Sequence, residues 1–312
     1  MRILFMGTPA FAIPSLKTLL EHRYSVVSIV TSPDKPQGRG QKVAYSPVKA
    51  FALERQIPLL QPDDLKDPQF ISAVAELQPD LIVVVAFRIL PPEVYRIPQS
   101  GAFNLHASLL PRYRGAAPIN WAIMNGEEET GVTTFFLQEK VDTGSVLLQS
   151  RVRIGPDETA GELHERLAEL GAHVVLQTVR TIEIGNVKPD IQDESRSSRA
   201  PKIFKEDCRI NWNMSAQKVH NFVRGLSPVP CAWTTHQGRM LKVYRTSLAG
   251  TAGGTPAADA GRIVDVQPDR LLVSTTSGQV SIGEVQQEGR KRMAIAEFLR
   301  GFPLSAGERL GS

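Results

Sequence analysis

Short runs of consecutive apolar residues recur through the first third of the chain, at positions 2–6, 25–31, 80–86 and 101–105. They are rich in Val, Ile and Leu on adjacent positions, which predicts strands covered on both faces. Between them, residues 13–21, 47–55, 70–77 and 117–125 carry apolar side chains at helical spacing. Strand and helix in alternation predict βαβ units. The fold class that follows is α/β, with a doubly wound, mostly parallel, Rossmann-like sheet.

Two later strands, 131–138 and 145–154, flank the turn Glu139-Lys140-Val141-Asp142-Thr143-Gly144. A long helix is expected from 159 to 184, opened by Asp157-Glu158, whose charge suits a helix amino terminus. Residues 187–200 are polar and aperiodic. Beyond them come one helical segment, 215–225, and short strands at 241–244, 261–266, 271–275 and 280–285. Closely spaced short strands suggest a small carboxyl-terminal β-barrel, with the OB type as the natural candidate. The organisation read from the pattern is a first domain over 1–188, a linker over 189–207 and a second domain over 208–312.

Composition narrows the class. With 312 residues, 42% hydrophobic and 22% charged, the chain reads as a globular protein of about two domains. No apolar stretch approaches the roughly 20 residues that a bilayer span needs, so no membrane partner is expected. The apolar amino terminus is cut short by Gly7-Thr8-Pro9 and reads as a first strand rather than a signal peptide. Cys208 and Cys231 have no metal-ligand spacing. No metal is expected, and the setting reads as reducing and cytoplasmic. A monomer is the simplest oligomeric state. From Cys208 onward there are 13 basic and 7 acidic residues, a net of +6, while the first 207 residues carry a net of −2. A basic second module suggests a polyanionic partner, although such a charge is also common in proteins that bind no nucleic acid.

Chemistry concentrates at Asn104-Leu105-His106-Ala107-Ser108. Alternate residues of a strand share a face, so Asn104, His106 and Ser108 point the same way if the strand stays regular. In open parallel sheets the carboxyl ends of the strands are where ligands bind. The first strand ends Met6-Gly7-Thr8-Pro9 without a Gly-x-Gly-x-x-Gly fingerprint, which disfavours a nicotinamide or flavin enzyme. Alone, an Asn-x-His pair also suits a structural role. The remaining histidines read as packing or surface residues.

The stretch Asn104 to Pro118, with Asp142-Thr143-Gly144 downstream, resembles the folate-dependent formyltransferases. Gly7-Thr8-Pro9, Pro33-Asp34-Lys35-Pro36, Gly38-Arg39-Gly40, Ser46-Pro47-Val48-Lys49 and Ala200-Pro201-Lys202-Ile203 extend the likeness along the chain. The Gly-Arg-Gly loop and the basic second module favour the members acting on an initiator methionyl-tRNA. Members acting on a small amine, such as glycinamide ribonucleotide or an amino-sugar nucleotide, stay open, as does a non-catalytic RNA-binding protein on this fold. The chain departs from the family at Ala86-Phe87-Arg88-Ile89-Leu90-Pro91, where an aromatic followed by Gly is usual.

The resemblance implies transfer of a formyl group from 10-formyltetrahydrofolate, the co-substrate, to an α-amino group. It assigns catalysis to Asn104, His106 and Asp142, with Asn104 as oxyanion donor, His106 as proton handler and Asp142 as the group that steadies it. Asp142 is expected to stay solvated in its turn. Ser108, Leu109, Leu110 and Pro111 are implied as a folate wall. Lys35, Arg39 and Lys42 in the basic loop, Lys202 and Lys205 in the linker, and Arg290, Lys291 and Arg292 in a barrel loop are the implied tRNA contacts. That loop and that triplet are also what ordinary solvated turns look like.

Overall fold

The protein is described by a computed structural model over residues 1–37, 42–249 and 259–311. It forms two compact units. The first takes in Met1–Gly115, Gly131–Val152 and His164–Arg199, and the second Ala116–Thr130, Arg153–Leu163 and the chain from Ala200.

The predicted apolar runs become β1 (Arg2–Gly7), β2 (Ser25–Val30), β6 (Leu81–Val85) and β7 (Ala102–His106). Between β2 and β6 lie three strands the pattern does not predict, a hairpin of β3 (Lys35–Gln37) and β4 (Lys42–Ala44) and the short β5 (Leu59–Leu60). A two-residue strand β8 (Arg114–Gly115) and the longer β9 (Glu129–Phe136) and β10 (Val146–Arg153) follow. The main sheet has the order β10-β9-β7-β6-β1-β2-β5. β1 pairs in parallel with β2 and β6, and β6 pairs in parallel with β7. β9 runs antiparallel to β7, placing Thr133 opposite His106. From β1 the chain builds outward through β2, then crosses to β6 and β7 on the other side. The switch point therefore lies at the carboxyl ends of β1 and β6, beside the end of β7. In a sheet of this kind that crevice receives ligands.

Helices α1 (Ile13–Glu21), α2 (Pro47–Glu54), α3 (Pro68–Glu76) and α4 (Pro92–Tyr95) make the crossovers. Their starts follow local chemistry. The Ser46 hydroxyl accepts the Lys49 amide at 3.0 Å, and Asp67 accepts the Gln69 amide at 2.9 Å, with proline next in the chain both times. The Asp67 cap is why α3 begins two residues before the apolar spacing suggests. Ile3, Leu4, Phe5 and Met6 of β1 and Leu81 to Val83 of β6 are fully buried, so the sheet's middle strands form the core.

In the second unit, α5 (Pro118–Met124) precedes the opening of α6 (Ala160–Glu183). There Thr159 and Glu162 close a capping box, each side chain accepting the other's backbone N–H at 3.3 and 2.9 Å. Glu162, rather than the predicted Asp157-Glu158, carries the acidic start. A short strand β11 (Arg199–Ala200) leads to α7 (Ala216–Leu226). An antiparallel sheet follows, of β12 (Ala232–His236), β13 (Arg239–Ala249), β14 (Ile263–Gln267), β15 (Arg270–Ser274), β16 (Gln279–Gln287) and the short β17 (Met293–Ala294), before α8 (Ile295–Gly301). Its order is β12-β13-β16-β15-β14, with β17 on β16. This is the second, smaller β module that the pattern predicts. β12, missed by the pattern, ends in three consecutive polar residues, Thr234, Thr235 and His236, and pairs along β13. Val219, Val223 and Leu226 of α7 pack with Leu241, Val243 and Val285 in the module's core. Asn120 of α5 donates to the Gly225 carbonyl at 2.7 Å, and a Cβ at Gly225 would stand 2.6 Å from Met124 Cγ.

Candidate active site

Strand β7 delivers Asn104 and His106 to the carboxyl edge of the sheet on one face, as alternation requires. His106 ends the strand and is 6% exposed. Its Nε2 lies 2.8 Å from the Tyr113 carbonyl oxygen, which can only accept, so Nε2 carries the proton. The neutral ring's lone pair is then on Nδ1, 3.9 Å from Asp142 Oδ2. Asn104 is half-buried, and its carboxamide takes no hydrogen-bond partner among the described residues.

Asp142 sits in the turn between β9 and β10 with φ of 55°, a left-handed conformation that is uncommon outside glycine. Its Oδ2 accepts the Gly115 N–H at 2.9 Å. The side chain is only 11% exposed, which overturns the expectation of a solvated carboxylate. The backbone amide and the neighbouring imidazole take the place of water. Gly144 lets the turn close, because a Cβ there would collide with the Phe136 carbonyl.

The loop after β7 folds back on itself. The Ser108 hydroxyl, fully buried, donates to the Arg112 carbonyl at 2.6 Å, and the Ser108 carbonyl accepts Thr133 Oγ1 at 2.6 Å. The same Thr133 hydroxyl accepts the Leu110 amide at 3.1 Å. Leu110 is buried, while Leu109 and Pro111 are partly exposed. Of the four residues expected to line a folate cleft, these two present the most surface. The departing segment 86–91 is anchored by Arg88, which donates to the Pro62 and Asp63 carbonyls at 2.6 and 2.8 Å.

Sequence reasoning missed two members of this assembly. Gln192, from the segment expected as linker, is 7% exposed. Its amide donates to the carbonyls of Asp142 and Gly144 at 2.9 and 2.7 Å. Arg114 donates to Gln192 Oε1 through Nε and Nη2 and forks onto Glu194 at 2.9 and 2.8 Å. That guanidinium holds the Glu194 carboxyl below its ordinary pKa. Nothing in an aperiodic polar stretch marks one glutamine for such a place; only the fold does.

The basic candidates are dispersed. Lys35 and Lys42 belong to the β3–β4 hairpin of the first unit, and Arg39 lies outside the described residues. In the second unit, Lys202 and Lys205 are exposed, Lys202 lying over the Phe204 ring. The triplet 290–292 divides. All three are exposed, but Arg292 forks onto Glu284 at 2.6 and 2.7 Å and covers Tyr244. Arg292 thus carries its own counter-charge.

Comparison with known proteins gives this geometry its family. Residues 1–179 match the model of formyl transferases, and residues 202–303 match that of the formyl transferase carboxyl-terminal domain. The chain belongs to the formyl transferase family. Among curated formyl transferases, the methionyl-tRNA formyltransferase of Bacteroides thetaiotaomicron is 47% identical, covering 99% of this chain and 98% of that one. That of Chlorobium chlorochromatii is 49% identical and covers 99% of each. Among solved structures, HypX from Aquifex aeolicus in complex with tetrahydrofolic acid aligns with a TM-score of 0.67 at 20% identity. The alignment covers 99% of this chain and 48% of HypX, so the chain spans about half of that protein's length. The N-formyltransferase from Helicobacter canadensis aligns with a TM-score of 0.66 at 19% identity, covering 91% of this chain and 98% of that one. At such identities these two structures establish a shared fold. Among the described residues no helix is long and apolar enough to cross a membrane, and no group of three His, Cys, Asp or Glu could hold a metal ion.

Proposed function

We propose that this formyl transferase moves the formyl group of 10-formyltetrahydrofolate onto the free α-amino group of initiator methionyl-tRNA, in support of translation initiation. The observation that carries the reading is the pairing of His106 with Asp142 beside Asn104 at the end of β7. It occurs in a chain 47% identical over nearly its whole length to methionyl-tRNA formyltransferases.

The folate supplies an activated formyl group. Leu109 and Pro111, with apolar surface at the end of the β7 loop, would hold it. Acyl transfer to an amine builds negative charge on the formyl oxygen and requires a proton to leave the amine. The Asn104 carboxamide has N–H groups free for that oxygen, a contribution typically of about 3 kcal/mol to the barrier. His106 Nδ1 carries the lone pair, accepts the amine's proton as the new nitrogen–carbon bond forms, and returns it to N10 of the folate as the tetrahedral adduct breaks its bond to that nitrogen. Its Nε2–H stays hydrogen-bonded to the Tyr113 carbonyl, so the ring does not reorient as it becomes charged. Asp142, fixed by the Gly115 N–H, faces the imidazolium so formed. An α-amine with an ordinary pKa of about 7.7–8.0 is partly neutral near pH 7, and no strong base is called for.

In this reading catalysis belongs to residues 1–188, joined by 189–207 to a tRNA-binding module over 208–312. Lys35, Arg39, Lys42, Lys202, Lys205, Arg290 and Lys291 contact phosphates, and Arg292, already paired, contributes least. The enzyme works as a cytoplasmic monomer. The deciding assay incubates the protein with 10-formyltetrahydrofolate and either methionyl-tRNA or small amines, glycinamide ribonucleotide and an amino-sugar nucleotide among them. Formyl transfer confined to methionyl-tRNA, weakening steeply with salt through counterion release, is the expected result. Transfer to a small amine alone overturns the reading.

A further inference from the structure

We infer that Gln192 is a positioning residue that sets the geometry of Asp142, with Arg114 as its anchor. The inference rests on Asp142 acting in formyl transfer as proposed above.

The hydrogen-bonding capacity of the Gln192 amide is fully used. Its two N–H groups go to the carbonyls of Asp142 and Gly144, and its oxygen accepts twice from Arg114. The orientation is unambiguous, since the flipped amide would set oxygen against two carbonyls and nitrogen against a guanidinium. The two carbonyls bracket Thr143, so Gln192 clasps the turn on both sides of its tip. A non-glycine residue at φ of 55° persists only where its surroundings over-determine it. Arg114 also precedes Gly115, whose N–H holds the Asp142 carboxylate. The main chain of Asp142 and its side chain are therefore tied to the same two-residue strand, one through Gln192 and the other directly. This closed ring of contacts fixes Oδ2 at 3.9 Å from His106 Nδ1. Glu194 balances the guanidinium, leaving Arg114 neutralised as well as oriented.

A side chain that merely filled space would affect stability alone, whereas a positioning residue alters turnover through its target. The test compares Gln192→Met, Asp142→Asn and the double variant in the full-length protein, using methionyl-tRNA and 10-formyltetrahydrofolate. Gln192→Met should lower kcat about 10- to 100-fold, the scale of a misplacement near 1 Å. Both KM values should stay within about twofold. In the Asp142→Asn background the same change should cost nothing further, as expected for residues acting in series. Gln192→Glu, which keeps the acceptors and loses both donors, should follow Gln192→Met and serves in its place if that variant does not fold. Undiminished kcat in the Gln192 variants beside an impaired Asp142→Asn overturns this inference alone. So does a full multiplicative loss in the double variant. Wild-type turnover in Asp142→Asn overturns the site reading and this inference together.

Discussion

His106 and Asp142 face each other across 3.9 Å, with the imidazole's other nitrogen bound to the Tyr113 carbonyl at 2.8 Å. That distance is longer than a hydrogen bond. Nδ1 and Oδ2 are therefore neighbours without a hydrogen bond between them.

The three polar residues should therefore fail in different ways. Asn104→Ala should lower kcat by about 10²- to 10³-fold, the usual loss for one oxyanion donor. His106→Ala should cost about 10²- to 10⁴-fold, the range of a general acid–base group. Asp142→Asn retains the contact with Gly115 N–H but loses the charge, so its deficit should lie in kcat with the fold intact. Steady-state kinetics together with circular dichroism check all three.

Gly144 should tolerate no side chain. In Gly144→Ala the new methyl meets the Phe136 carbonyl, so the Asp142 turn must shift or the β9 end must yield. Overpacking of this kind typically costs about 1–3 kcal/mol. Turnover should fall more than the loss of stability explains, because the same turn carries Asp142. Thermal melting and kcat measured on one preparation separate the two effects.

The second unit should weaken on mild acidification through His220. This ring is 1% exposed, between Thr246 Oγ1 at 3.0 Å and the Pro156 carbonyl at 3.1 Å. Burial, aided by the Arg224 charge and opposed by Asp157, lowers its pKa from 6.5. The unfolded chain thus takes up a proton over a range where the folded chain does not. Stability from neutral His220 is complete above pH 6.5 and shrinks as pH falls below it. The difference in melting temperature between wild type and His220→Gln should be largest near pH 8 and shrink towards pH 5.5. His164, also lowered by burial, is common to both proteins and cancels.

At stronger acid the start of α6 should go. Glu162 has a pKa held down to about 2 from 4.5, first by the Thr159 backbone N–H, with Arg245 also lowering it. Its contribution is complete above pH 4.5 and fades as pH drops toward 2. Thr159→Ala should cost about 1 kcal/mol at neutral pH, as loss of a helix cap does. Glu162→Gln should narrow its gap from wild type between pH 4.5 and 2. Urea titrations at several pH values read both.

Some of this was legible in the chain and some was not, for definite reasons. Asn104 and His106 follow from strand alternation, a local rule that needs no neighbours. The doubly wound sheet follows from unbroken apolar runs such as 81–85. Asp142 needed the family resemblance, since a turn aspartate has no local mark of function. Its burial escaped sequence reasoning because the Gly115 N–H that replaces water comes from strand β8, distant in sequence. Gln192 was hidden for the same reason, 50 residues from the carbonyl it holds. Arg292 read as an available cation because its counter-charge, Glu284, is set by the pairing of β16 with β17.

The Asn104 carboxamide has a wider consequence. Every polar neighbour in this pocket is matched: His106 with Tyr113, Ser108 with Arg112, Thr133 with Ser108 and Leu110. Asn104, half-buried, has no such match among the described residues. A folded protein selected for stability alone would place a hydrocarbon there. In the proposed mechanism that open carboxamide is the oxyanion donor, so no internal bond has to break when charge develops on the substrate. On that proposal the reacting molecule supplies the partner that the fold itself leaves out.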